Sequence, residues 1–186
     1  MVSTADFRNG MIILLDGELM QIVEFQHVKP GKGGAFVRTR FKNVLTGRVL
    51  EKTFRSGEKF DEAVVEERTL QYLYHDGDLY HFMDKDTFEQ IEVSESVASE
   101  AMQWIKENTD AVFQFHDGKA ISVRPPFFVV LEITQCDPGV QGDRATGGTK
   151  PATLETGAVV QVPLYIQQNT VIKVDTRTAT YIERVG

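Results

Sequence analysis

At four places in this 186-residue chain, two turn-forming residues ending in glycine separate short β-rich runs. Asp16-Gly17 lies between Met11–Leu15 and Leu19–Val23, and Thr46-Gly47 between Phe41–Leu45 and Val49–Phe54. Asp76-Gly77 lies between Arg68–Tyr74 and Leu79–Met83, and Asp117-Gly118 between Ala111–Phe115 and Ala120–Val123. Asp-Gly tolerates the positive φ that tight hairpin turns demand, so such spacing predicts antiparallel pairs. Strands this close together, joined by tight turns, predict a small barrel.

Breaks in the pattern predict three parts. Ser56-Gly57-Glu58-Lys59 interrupts the first set of strands, and Arg124-Pro125-Pro126 is the clearest linker, because tandem prolines cannot continue a ladder. The expected parts are residues 1–64, 65–126 and 127–186. The middle part carries a predicted helix from Ser94 or Ser96 to about Asn108, with Val97, Ala101, Trp104 and Ile105 on one face. About five strands with one helix between the third and fourth is the OB pattern. The last part repeats it without a strong helix, using runs at Phe127–Ile133, Ala158–Ile166, Val171–Asp175 and Tyr181–Val185. The fold class expected is all-β, built of three small barrels.

The chain also carries a basic loop, Lys29-Pro30-Gly31-Lys32-Gly33-Gly34, between two strand-like runs. Pro30 fixes φ and the glycines permit a sharp turn. Lys32 therefore sits at a hairpin tip, with no bulky neighbour to cover its ammonium. A solvated lysine on an ordinary Gly-rich hairpin fits the same residues.

Charge narrows the partners. Residues 1–64 hold 10 Lys/Arg against 8 Asp/Glu, a balance of +2; residues 65–186 hold 10 against 19, a balance of −9. The broad basic surface needed to coat nucleic acid is missing. An acidic body with a basic tip suits docking into a shaped protein–RNA site. Net negative charge also serves solubility alone. There is no apolar run long enough to span a bilayer, and Met1–Phe7 lacks the features of a signal peptide, so a cytoplasmic protein is expected. One cysteine, Cys136, excludes an intrachain disulfide and any Cys-based zinc site.

Catalytic chemistry finds no footing. Asp84-Lys85-Asp86-Thr87-Phe88-Glu89 reads as a solvated turn rather than an acid–base pair. The four histidines are scattered, and His75 and His116 read as exposed turn residues. No metal site, cofactor or enzyme activity is expected, and Gly142–Gly148 matches no phosphate-binding loop.

Two motifs at opposite ends go further. Lys29-Pro30-Gly31-Lys32-Gly33-Gly34-Ala35-Phe36 resembles the modified-lysine loop of bacterial elongation factor P, and Lys150–Pro163 and Val171–Arg177 resemble that family's C-terminal signature. The resemblance covers the whole chain. It implies an N-terminal translation SH3-like (KOW-type) domain and two OB-folds in an L shape like that of tRNA. It further implies a monomer that binds the 70S ribosome between peptidyl and exit sites, touching ribosomal RNA and peptidyl-site tRNA, and relieves stalling at consecutive prolines. Lys32 is the implied working tip, open to covalent modification by a dedicated enzyme, with Pro30, Gly31, Gly33 and Gly34 shaping the turn. RNA contacts are implied at Arg144, Gly147, Gly148 and Lys150 in the 142–150 loop, and at Tyr181 and Arg184. Asn169 and Arg144 depart from the usual pattern, which has glycine and a small residue there. An elongation-factor-P-like paralogue and a generic single-stranded RNA-binding OB protein are the competing readings.

Overall fold

A computed structural model describes residues 1–139 and 148–186. In the first segment the strands are β1 (Val2–Ser3), β2 (Ile12–Leu15), β3 (Glu18–Val28), β4 (Phe36–Asn43), β5 (Val49–Arg55) and β6 (Lys59–Glu62). They form one sheet in the order β1-β6-β2-β3-β4-β5. The Ser56–Lys59 break is thus only a turn, and the strand after it inserts between β1 and β2. Asp16 and Gly17 both take positive φ (55° and 83°), as a two-residue primed turn requires. The next connection is longer than Thr46-Gly47 alone. The Asn43 carboxamide oxygen accepts from Leu45 N and Thr46 N, both at 2.9 Å, and this closes a wider loop before β5.

β7 (Glu66–Asp76), β8 (Leu79–Asp84), β9 (Gln90–Ser94), α1 (Glu95–Met102), β10 (Asp110–His116) and β11 (Lys119–Arg124) follow, with sheet order β11-β10-β7-β8-β9. The helix falls between the third and fourth strands, as expected of an OB-fold. Asp117-Gly118 is again a primed turn, with φ of 48° and 75°. At the other hairpin only Gly77 is positive, at 59°, and it opens the turn. Asp84 closes the solvated turn, its Oδ1 accepting from Asp86 N and Thr87 N.

The helix stops at Met102 rather than near Asn108. Beyond it the chain tightens: Trp104 N donates to the Ala101 carbonyl and Ile105 N to that of Met102. Asn108, at φ 64°, turns the chain toward β10, its N–H donating to the Tyr72 carbonyl. Ser94 occupies the cap position, but its hydroxyl meets Ser96 Oγ at 2.8 Å and caps nothing. Leaving the helix lets Trp104 reach the apolar cluster of the C-terminal barrel, among Leu131, Leu154 and Val160.

That barrel is closed: β12 (Phe128–Cys136), β13 (Thr149–Leu154), β14 (Val159–Pro163), β16 (Thr180–Arg184) and β15 (Val171–Asp175) pair in a ring. Sequence reading missed β13, because Pro151 looks like a strand breaker. Pro151 nonetheless sits opposite Gln161, and its neighbours complete the ladder. Asn169 adopts φ 64°, the left-handed backbone expected of a residue standing in for glycine.

By compactness the chain divides into two units, Met1–Glu67 with Gln114–Ser122, and Arg68–Phe113 with Val123–Gly186. In the first, Phe7, Ile13, Met20, Ile22, Val37, Phe41 and Phe54 form the core, each contributing about 1.5–3 kcal/mol by burial. In the second, Phe82 and Phe113 meet edge to face at 4.6 Å in the OB sheet. Tyr72 and Phe115 are buried, but Tyr74 is exposed. A bulge between Tyr72 and Tyr74 shifts the alternation, and Tyr74 stacks on its cross-strand partner His81 at 4.3 Å.

Candidate functional site

The hairpin β3–β4 is long because alternate side chains of β4 (Val37, Thr39, Phe41) are buried while Arg38 and Arg40 face outward. Its last paired residues are Val28 and Phe36. Between them Lys29–Gly34 is exposed throughout, so the loop begins where the core ends. Ser56 N donates to the Ala35 carbonyl at 3.0 Å and fixes the loop's base.

Of the loop's three glycines only Gly33 takes positive φ, at 122°; Gly31 and Gly34 lie in ordinary regions with open space around them. The sharp turn therefore rests on Gly33, where an added Cβ would lie 3.8 Å from Pro30 Cγ. Lys32 is exposed and has no hydrogen bond or ion pair among the described residues. Its primary amine is free both to meet an anionic partner and to accept an acyl or alkyl group.

The other site residues are placed differently. Arg144 and Gly147 lie outside the described residues. Gly148 packs on Leu164, whose Cδ1 would lie 2.9 Å from a Cβ there, and a Cβ at Gly139 would lie 2.5 Å from the Leu164 carbonyl oxygen. Lys150 differs from expectation. It is 7 % exposed, and its ammonium donates to the Asp137 carbonyl at 2.6 Å. Its charge braces the base of the loop instead of facing outward toward RNA. Tyr181 is half-buried against the barrel core, while Arg184, on the same strand, is exposed. Burial first, then the hydrogen bond and the charge of Tyr165, push the Tyr181 phenol above its ordinary pKa.

His116 also corrects the sequence reading. It ends β10 with Nδ1 at 2.8 Å from the Val64 carbonyl oxygen, a structural contact rather than an exposed turn. Among the described residues no group of three or more His, Cys, Asp and Glu is placed to hold a metal, and no helix is long and apolar enough to cross a membrane.

Sequence reasoning passed over Arg124, Phe127 and Phe128. Their guanidinium and rings gather with Arg177 on the C-terminal barrel. The signal lay in the Arg124-Pro125-Pro126 linker and the strand run that opens directly after it at Phe127-Phe128.

Two small antiparallel sheets, the first bearing a lysine-tipped hairpin, followed by a closed five-stranded barrel define an all-β, multi-unit class of fold. The chain resembles the solved structure titled eukaryotic translation initiation factor 5A from Methanococcus jannaschii, with a TM-score of 0.56 and 24% identity over 66% of this chain and 92% of that one. That likeness is one of fold. Three family models match in order: the elongation factor P KOW-like domain at residues 3–60, the OB domain at 65–123 and the C-terminal domain at 129–184. Proteins named elongation factor P are similar along their whole length. Those of Thermoanaerobacter sp. (strain X514) and Caldanaerobacter subterraneus subsp. tengcongensis are 55% and 56% identical, with 100% of both chains covered in each case. The chain belongs to the elongation factor P family of translation factors.

Proposed function

We propose that this protein binds the 70S ribosome between the peptidyl and exit sites and speeds peptide-bond formation where consecutive prolines stall it. Lys32 is the working tip, and covalent extension of its amine lengthens its reach. The observation that carries this reading is the exposed, unpartnered Lys32 on a hairpin whose base is fixed by core packing and whose turn rests on Gly33.

Proline is a constrained nucleophile, and a peptidyl-tRNA strained by prolines leaves the reactive arrangement. A cationic arm resting on the tRNA backbone holds the acceptor end in near-attack geometry, a gain of positioning that needs no chemistry from the protein. Ribosomal RNA remains the catalyst. Tyr181, the exposed Arg184 and the 142–148 segment serve as further RNA contacts in this reading. Such a factor works in the cytoplasm as a monomer.

The test is synthesis of a triple-proline reporter on purified ribosomes, with protein from its native host beside a Lys32→Ala variant prepared the same way. Rescue by the first and loss with the second is expected. Equal rescue by both would overturn the lysine-tip mechanism.

A further inference from the structure

At the junction of β11 and β12, and on the end of β15, cations and rings are stacked in the open. The Arg124 guanidinium lies 4.9 Å from the Phe127 ring centroid, and the Arg177 guanidinium lies at the same distance from that ring and 5.4 Å from Phe128. Lys173 Nζ is 5.4 Å from Phe128. Both residues are close to half exposed, at 45% and 47%, an unusual state for adjacent phenylalanines on a barrel.

The charges are unequally answered. Arg177 is held by Asp175 through two side-chain bonds, Nε to Oδ1 at 3.0 Å and a terminal NH2 to Oδ2 at 2.7 Å. Lys173 meets Glu183 at 3.4 Å. Arg124 is exposed and makes no hydrogen bond or ion pair among the described residues, so the donors of its fork are unspent. Two guanidiniums near one ring repel each other, and Asp175 offsets only one of them. The patch therefore carries one uncompensated positive charge inside a stretch of chain whose balance is −9 over residues 65–186 (10 Lys/Arg against 19 Asp/Glu). The segment that carries both rings is tied to the end of β15: Thr176 Oγ1 donates to the Pro126 carbonyl at 2.6 Å and Thr176 N to that of Phe127 at 2.9 Å.

We infer that this patch is an RNA-docking surface, in which Arg124 takes a phosphate and the half-exposed stack of guanidiniums and rings packs against the adjoining nucleotide. A guanidinium fork matches phosphate geometry, and bases pack on guanidinium planes and aromatic side chains without their sequence being read. A protein carboxylate would satisfy Arg124 but leave the half-exposed apolar part of the stack uncovered. The inference rests on the ribosomal reading above and names a second contact for it, on the C-terminal barrel and far along the chain from Lys32.

The test measures binding to purified 70S ribosomes at several salt concentrations for wild type, Arg124→Gln and Lys119→Gln, the last removing an equal charge from an exposed site outside the patch. In parallel, Phe127 is replaced by a photo-crosslinking phenylalanine analogue. Arg124→Gln is expected to weaken binding about three- to tenfold and to lower the salt slope by roughly 0.7–0.9, as loss of one phosphate contact does, with little change for Lys119→Gln. The crosslink is expected on RNA. Equal binding by Arg124→Gln and wild type, or a crosslink confined to ribosomal protein, would overturn the inference while leaving the ribosomal reading intact. Failure of wild type itself to bind would overturn both.

Discussion

Lys150 Nζ donates to the Asp137 carbonyl oxygen at 2.6 Å, so a buried ammonium joins the chain leaving β12 to the start of β13. Lys150→Met keeps the covered aliphatic stem and removes the hydrogen bond, and is expected to cost about 1 kcal/mol. Lys150→Ala also loses the stem's packing and costs more. Urea unfolding followed through Trp104, the chain's single tryptophan, reads the barrel directly because Trp104 packs in its core. Unchanged stability together with weakened ribosome binding would return Lys150 to the role of an RNA contact.

Gly33→Ala should injure function more than stability. A Cβ there meets only ordinary contact, 3.8 Å from Pro30 Cγ, so the penalty comes from φ 122° rather than from crowding. The strain, about 1–3 kcal/mol, is relieved by letting an exposed loop shift. The expected result is a reduced triple-proline rescue with an unchanged unfolding midpoint. Gly31→Ala and Gly34→Ala, which face open space without positive φ, should keep most activity. Equal effects at all three positions would show that the turn does not depend on Gly33.

Acid should loosen the C-terminal barrel through Asp175. The hydrogen bonds from Arg177 hold its carboxyl below the ordinary aspartate pKa, against the opposing effect of burial. A lowered folded pKa gives stability that is fully present above the unfolded value of about 3.9 and lost as pH falls through the folded value. Asp6 behaves alike in the N-terminal segment, held down chiefly by the Ser3 backbone N–H. Asp175→Asn should flatten the loss of barrel stability below pH ~4, seen in Trp104 fluorescence. An identical acid profile for variant and wild type would remove Asp175 from this account.

Trp104→Ala should destabilise the C-terminal barrel by about 3–5 kcal/mol, the usual cost of removing a buried tryptophan. Two further contacts lie beside it: Thr156 Oγ1 donates to the Gln103 carbonyl, and Lys106 pairs with Glu155 at 3.2 Å. Circular dichroism melting checks this. A shift in Tm no larger than that of an exposed-site control would mean that the helix end packs there without contributing.

Much of this fold was legible because its turns are local. Asp16-Gly17 and Asp117-Gly118 encode their geometry in two residues, and alternation along Phe36–Asn43 names the buried face. The exposed Lys32 followed from proline and glycine spacing alone. What the residues concealed depends on distant partners. The helix ends early because Trp104 is claimed by a barrel formed later in the chain, and Pro151 is tolerated inside a ladder it should interrupt. Lys150 reads as a surface cation until Asp137 is brought beside it. Arg124 and Arg177 stand more than fifty positions apart, so only the folded barrel reveals that they share a ring.

The closed ring β12-β13-β14-β16-β15 has a consequence for how anything can hold this end of the molecule. A sheet with free edges can be read by another polypeptide laying a strand along it, through main-chain bonds that ignore much of the sequence. A ring offers no such seam. Whatever grips the C-terminal barrel must do so through what projects from it, so its recognition can be rewritten one side chain at a time while the scaffold stays unaltered.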